Sequence, residues 1–151
     1  MLEGDSLSQA KPIFQFVESK GILIRLTEEQ KKQISTFEAI KKMIGKPEIL
    51  AYDIYLDKKC IGFAMLRKYS STDYFLWDYA IDCNFQNKGY GTIALRQLID
   101  FMKIAFHTKE LTTTYLWGNE HAKHVYEKVG FIETDVVDED GIHEVNMIKH
   151  L

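Results

Sequence analysis

A change of pattern near residue 84 constrains this chain more than any other feature. Before it, short β-rich runs follow one another: Ile49–Leu56 and Cys60–Arg67 about the polar turn Asp57-Lys58-Lys59, then Tyr74–Cys83 after Tyr69-Ser70-Ser71-Thr72. Such runs joined by short polar turns make an antiparallel meander. Beyond it, the polar loop Asn84–Gly91 leads into a helix from Thr92 to about Phe106, with Ile93, Leu95, Leu98, Ile99, Met102 and Phe106 as its apolar stripe. The β-branched run Leu111–Trp117 follows. Strand, crossover helix and strand form a βαβ unit, which is parallel and right-handed. Antiparallel strands flanking one parallel pair predict an α/β fold. Its central sheet is mixed and mostly antiparallel, with helices on both faces.

The remaining segments extend this reading. Ile13–Val17 and Ile22–Leu26, around a Glu-Ser-Lys-Gly break, read as two strands of a hairpin. Thr27 with Gln30 three residues later is a capping box. One helix should run from there to about Met43, with Ile34, Phe37, Ile40 and Ile44 on one face and Gly45 and Pro47 as its stop. A further helix spans about Glu120–Val129 and ends at Gly130. Phe131–Val137 and Ile142–His150 then close as a hairpin about Asp138-Glu139-Asp140-Gly141. With 151 residues and neither repeat nor linker, the whole chain, 1–151, is expected to be one domain, with residues 1–11 polar and loose.

Composition removes several classes of function. At 46% hydrophobic and 27% charged residues, the chain is neither disordered nor fibrous. A net charge of −3 leaves no basic footprint for nucleic acid. Cys60 and Cys83 form no C-x-x-C and read as free thiols of a reducing cytoplasm. The opening MLEGDSLSQAK lacks a basic stretch followed by an apolar run, and no apolar stretch approaches the roughly 20 residues of a membrane helix. A soluble, cytoplasmic protein without membrane contact is expected. His121 and His124 are three apart, while His107, His143 and His150 are scattered without an H-E-x-x-H, so no metal is expected.

The loop Gln86-Asn87-Lys88-Gly89-Tyr90-Gly91 lies between a strand and a helix N-terminus, where unpaired N–H groups and the positive dipole end favour an anion. Gly89 and Gly91 allow close backbone approach or a positive φ, and Lys88 adds a mobile charge. It is not a P-loop, since no G-x-x-x-x-G-K-[ST] exists. Ala94 stands where a dinucleotide fingerprint has its third glycine, and a meander precedes the loop in place of successive βαβ units.

These six residues resemble the Q/R-x-x-G-x-G/A pyrophosphate loop of the GNAT N-acetyltransferases. Tyr79-Ala80-Ile81-Asp82 resembles that family's central strand. Asn119, Ala122, Tyr126, Gly130 and Phe131 match its N-x-x-A-x-x-x-Y-x-x-x-G-F helix. The resemblance covers about residues 22–151. It implies a sheet splayed open between 74–83 and 111–117, with acetyl-coenzyme A as co-substrate in the opening. The backbone of Tyr79, Ala80 and Ile81 would pair with the pantetheine arm, and the N–H groups of Gln86, Asn87, Lys88, Gly89, Tyr90, Gly91 and Thr92 would hold the pyrophosphate. Asn119 would bond the arm, and Ala122 would leave room for it.

The implied reaction is direct attack of a primary amine on a thioester. Tyr126 is the candidate general acid, beside the sulfur. Asp78 is the candidate base or ammonium-binding group; alternation puts it on one face with Ala80 and Asp82, opposite Tyr79 and Ile81. Ile61–Met65 and the segment from Asp140 to Leu151 resemble bacterial spermine/spermidine acetyltransferases, which suggests a polyamine or another small amine as acceptor. One helix between the first two family strands, where two are usual, is a departure that weakens this inference. The alternatives are a protein or peptide N-acetyltransferase and a coenzyme A-binding sensor or interaction module without turnover. The family leaves a homodimer open, and no sequence feature points to one.

Overall fold

In Lys59–Lys68, six consecutive residues from Ile61 to Leu66 are buried, as in a strand covered on both faces. That strand lies near the middle of the sheet in the computed structural model, which describes residues 11–151. The segment expected to be loose, 1–11, therefore lies almost wholly outside the described residues. In chain order the elements are β1 (Phe14–Glu18), α1 (Glu28–Lys31), α2 (Phe37–Met43), β2 (Ile49–Leu56), β3 (Lys59–Lys68), β4 (Asp73–Ile81), α3 (Tyr90–Phe106), β5 (Glu110–Leu116), α4 (Glu120–Lys128), β6 (Ile132–Glu139) and β7 (Ile142–His150). A single 3-10 turn, Cys83–Phe85, follows β4. The strands form one seven-stranded sheet in the order β1-β2-β3-β4-β5-β7-β6, parallel only between β4 and β5. This is the mixed α/β fold that the sequence predicts.

Both faces carry apolar layers. Tyr52, Ile54, Ala64, Leu66 and Leu76 pack with Leu95, Leu98 and Met102 of α3 and Val125 and Tyr126 of α4. On the other face, Ile49, Phe63, Met65 and Ala80 pack with Ile24 and with Ile40 of α2. Burying one such large side chain contributes about 1.5–3 kcal/mol.

The feature that shapes the cleft is a β-bulge. Met65 pairs with Asp78 but Leu66 pairs with Leu76, so Trp77 is the extra residue. A bulge bends its strand and sharpens the local twist. Pairing between β4 and β5 runs from Asp73↔Glu110 to Leu76↔Thr113 and stops there. From Trp77 to Ile81, β4 has no strand beside it on that side among the described residues, and the sheet splays open.

Two local expectations are corrected. Ile22–Leu26 is not a strand, and β1 pairs instead with β2. The alternation was real, since Ile22, Ile24 and Leu26 all pack into the second apolar layer. The backbone, however, bonds to the turn after β4: Arg25 N–H donates to Asp82 Oδ2 at 2.8 Å, and Cys83 N–H to the Arg25 carbonyl at 2.9 Å. The single helix from Thr27 to Met43 is two helices, so the supposed departure from the family's pair disappears. The Thr27–Gln30 capping box is present, but α1 ends after one turn. Ser35 N–H donates to Asp78 Oδ1 at 2.9 Å, and the Thr36 hydroxyl accepts from Ala39 N–H to cap α2. Polar side chains that bond nearby backbone offer it an alternative to continuing the helix. Phe37, expected on the buried face, is 43% exposed.

Asp53 on β2 is buried, and its Oδ1 lacks a hydrogen-bond partner among the described residues. Burial pushes its carboxyl above the ordinary range, against a hydrogen bond with Ser19 that lowers it. A carboxyl raised in the folded state binds its proton more tightly there than in the unfolded chain. Stability is therefore lost as pH rises from the unfolded value through the folded one. Asp53→Asn should raise the thermal midpoint at neutral pH, by about 2–4 °C per kcal/mol relieved. The gain should vanish as pH falls toward the ordinary aspartate range. Thermal unfolding across pH reads this directly, and a lower midpoint at neutral pH would contradict it.

Candidate active site

The head of α3 is built by the loop before it. Asp82 anchors the turn, its Oδ1 accepting from Asn84 N–H at 2.8 Å. Asn87 (φ 62°) and Gly89 (φ 79°) are left-handed, and Gly89, as N-cap, offers no side-chain acceptor. The helix's own bonding begins with Ile93 N–H to the Gly89 carbonyl at 3.2 Å. None of the N–H groups from Gln86 through Thr92 has an acceptor among the described residues. A row of unpaired donors at the positive end of a 17-residue helix is an anion cradle. The Tyr79 hydroxyl donates to the Gly91 carbonyl at 2.6 Å and ties the cradle to β4. Burial and the nearby Tyr126 phenol push the Tyr79 phenol well above its ordinary range.

Beside the cradle, β4 shows its unpaired edge. Asp82 N–H donates to the Ile61 carbonyl, so in an antiparallel pair Ala80 also faces β3, while Tyr79 and Ile81 face the gap. Of the three residues expected to offer backbone groups, Ala80 is thus turned away. The Ile81 carbonyl accepts from Gln30 Nε2 at 2.8 Å and from Gln86 Nε2 at 3.2 Å. Across the gap α4 begins at Asn119, whose Oδ1 accepts from Ala122 N–H at 3.2 Å. Its Nδ2 donates to Gln33 Oε1 at 3.1 Å. Between these walls lies a cavity of about 690 Å³, lined among others by Tyr79, Ala80, Ile81, Gln86, Asn87, Gly89–Thr92, Asn119, Ala122 and Tyr126. Lys88, the remaining loop residue, is exposed and does not line it.

Tyr126 is buried on α4, its ring edge-on to Phe131 with centroids 5.6 Å apart. Burial pushes its phenol up to about 12; hydrogen bonding with Thr113 opposes the shift and the charge of Asp78 adds to it. Asp78 is 4% exposed and does not line the cavity. Its Oδ1 is held by Ser35 N–H, and its Oδ2 is buried without a partner among the described residues. Burial raises its carboxyl above the ordinary range, and hydrogen bonds from Ser35 act in the other direction. Asp78 and Ala80 share a face, opposite Tyr79 and Ile81, as alternation predicts.

Gln30, Gln33, Phe85, His121 and His124 also line the cavity, and the sequence had assigned them no part in it. Gln30 could be seen only as a cap: its Oε1 accepts from Thr27 N–H at 2.9 Å, which leaves its amide nitrogen for β4. The three-residue spacing of His121 and His124 places both on one side of α4. No three His, Cys, Asp or Glu side chains gather as a metal site among the described residues. No helix among them is long and apolar enough to cross a membrane.

Comparison with known proteins agrees with this architecture. The sequence model of the acetyltransferase (GNAT) family matches residues 20–131. The uncharacterized N-acetyltransferase ycf52 of Pyropia yezoensis is 30% identical over 86 residues, which is 57% of this chain and 45% of that relative. The match thus spans less than half of the relative's length. Among solved structures, spermidine N-acetyltransferase from Vibrio cholerae in complex with CoA and spermine superposes with a TM-score of 0.72. It is 14% identical, and the match covers 91% of this chain and 95% of that one. A GNAT family acetyltransferase from Elizabethkingia anophelis with acetyl-CoA bound gives 0.70 at 18% identity, covering 93% of this chain and all (100%) of the other.

Proposed function

Because the chain belongs to the GNAT acetyltransferase family, we propose that it transfers an acetyl group from acetyl-CoA to a primary amine, a polyamine or another small amine being the acceptor. The observation that carries this reading is the unpaired run of N–H groups from Gln86 to Thr92 at the mouth of the cavity. The residues fit the co-substrate. The orphaned donors suit a pyrophosphate, and the open edge of β4 at Tyr79 and Ile81 suits an amide-bearing arm laid down as an added strand.

Bound acetyl-CoA supplies the thioester carbonyl that the amine attacks. The rest falls to the protein. An alkylamine with pKa near 10.4 must lose its proton, a cost on the order of 4–5 kcal/mol at neutral pH. Asp78 does not line the cavity, so we assign it to take that proton through a bridging water, at the buried Oδ2, which has no hydrogen-bond partner among the described residues. The raised carboxyl makes a stronger base than an exposed aspartate. Tyr126, with its phenol pushed up to about 12, keeps its proton at neutral pH and can release it to a departing thiolate. N–H groups on the gap side of β4 are the donors available to a carbonyl oxygen gaining negative charge. The two thiols, Cys60 and Cys83, are unpaired, which suits the reducing cytoplasm in which we place the reaction. The CoA- and spermine-bound neighbour from Vibrio cholerae supports both donor and acceptor class.

Thermal unfolding with and without acetyl-CoA tests the reading, with ATP and NAD as controls. Ligand at 100 times its Kd adds about 2.7 kcal/mol. For a chain of this size that is about 5–10 °C. Thiol release with spermidine and a panel of amines should follow the shift. Absence of a shift at millimolar acetyl-CoA would overturn the donor assignment. A shift without turnover on any amine would favour a coenzyme A-binding module.

A further inference from the structure

Two side-chain hydrogen bonds cross the cleft from the segment around α1. Gln30 Nε2 donates to the Ile81 carbonyl at 2.8 Å, and Asn119 Nδ2 donates to Gln33 Oε1 at 3.1 Å. Each joins a carboxamide from the α1 side to a group that the pantetheine arm would need, and all four residues line the cavity. The arm itself carries two amides, so these side chains offer the chemistry that a ligand would bring. Asn119 has little freedom, since its Oδ1 is committed to capping α4 at Ala122. Only its Nδ2 remains to serve a ligand, and Gln33 holds that atom.

We infer that the Gln33 carboxamide is a place-holder for an amide of the arm, bonded to Asn119 in the free protein and displaced when the arm enters. This rests on the acetyl-CoA reading above. Gln33 sits in the irregular stretch between α1 and α2, half-buried, where a side chain can swing away without disturbing a helix. Gln30 is a poorer candidate for exchange, because its other end closes the capping box on Thr27. Exchange of one amide for another leaves no buried donor unpaired, but the ligand must still break a bond that the free protein already has.

The test is the Kd of CoA and of 3′,5′-ADP, which keeps the nucleotide's 3′-phosphate and one of its two 5′-phosphates but has no arm, measured by calorimetry. Gln33→Ala removes the competing carboxamide. Gln33→Met removes it while keeping the bulk, and so serves if the alanine variant folds poorly. Both variants should bind CoA about 2- to 10-fold more tightly than the wild type, with 3′,5′-ADP unchanged. Unchanged or weaker CoA binding would make Gln33 a structural strap or a direct ligand-binding group and overturn the inference. So would an equal change for both ligands. If the wild type bound neither ligand, the acetyl-CoA reading itself would fall, a different result from CoA binding that is indifferent to Gln33.

Discussion

Gly89→Val should abolish the stabilisation by acetyl-CoA while leaving a folded protein. Gly89 sits at φ 79° as the N-cap of α3, and beyond its two chain neighbours the nearest atom to where its Cβ would be is Ile93 Cδ1 at 4.0 Å. Space is therefore not the objection; backbone conformation is. A β-branched residue in the left-handed region is an outlier, at a cost of about 1–2 kcal/mol. The chain can relieve that strain by rotating the peptide groups around residue 89, and those peptide groups carry the donors of the cradle. The expected result is a free-protein midpoint lowered by a few degrees, about 2–8 °C, and no further shift with acetyl-CoA at concentrations that shift the wild type by about 5–10 °C. An unchanged Kd would show that the anion is held elsewhere.

Tyr126→Phe should separate chemistry from binding. The ring packs against Phe131 in the core and would keep doing so without its hydroxyl. Loss of a general acid costs about 10²–10⁴-fold in rate, so kcat should fall by at least about 100-fold while the Kd of CoA changes little. With the phenol pushed up to about 12, the wild-type rate should show no alkaline fall from this group until the pH approaches that value. On the acid side the rate should drop as Asp78 is protonated, with a midpoint above the ordinary aspartate range because burial raises it. Steady-state kinetics across pH on both proteins checks each statement. An unchanged kcat in the phenylalanine variant would remove Tyr126 from the chemistry.

The parts of this site that the sequence made legible are those fixed by neighbours in the chain. The capping box at Thr27 and Gln30 closes within four residues, and it formed as expected. The start of α3 is equally local, although it falls at Tyr90, two residues before the expected Thr92. The break between α1 and α2 could not be read, because a bond from Ser35 to Asp78, 43 residues away, helps to hold it. Ile22–Leu26 had the side-chain alternation of a strand, but a ladder requires a backbone partner, and its neighbours are the turn residues Asp82 and Cys83. The bulge at Trp77 was hidden for a related reason. It exists only in the register between β3 and β4, and nothing in β4 alone marks the extra residue. The cavity roles of Gln30 and Gln33 depend on that same long-range arrangement.

The strand order also bears on how the protein reaches its folded state. β7, the last of the seven strands in chain order, lies between β5 and β6 and pairs with the whole of β5, from Glu110↔His150 to Leu116↔Glu144. β4 holds β5 only from Asp73 to Leu76. The far wall of the cleft is thus oriented mainly by a strand that leaves the ribosome after the six others of the sheet. The meander from β2 to β4 can assemble from neighbouring segments early. The β5 wall must wait for a distant partner, and such non-local pairing is slow. Until β7 docks, β5 has a bare edge, so the nascent chain is most open to misassembly at the strand that later forms one wall of the cleft.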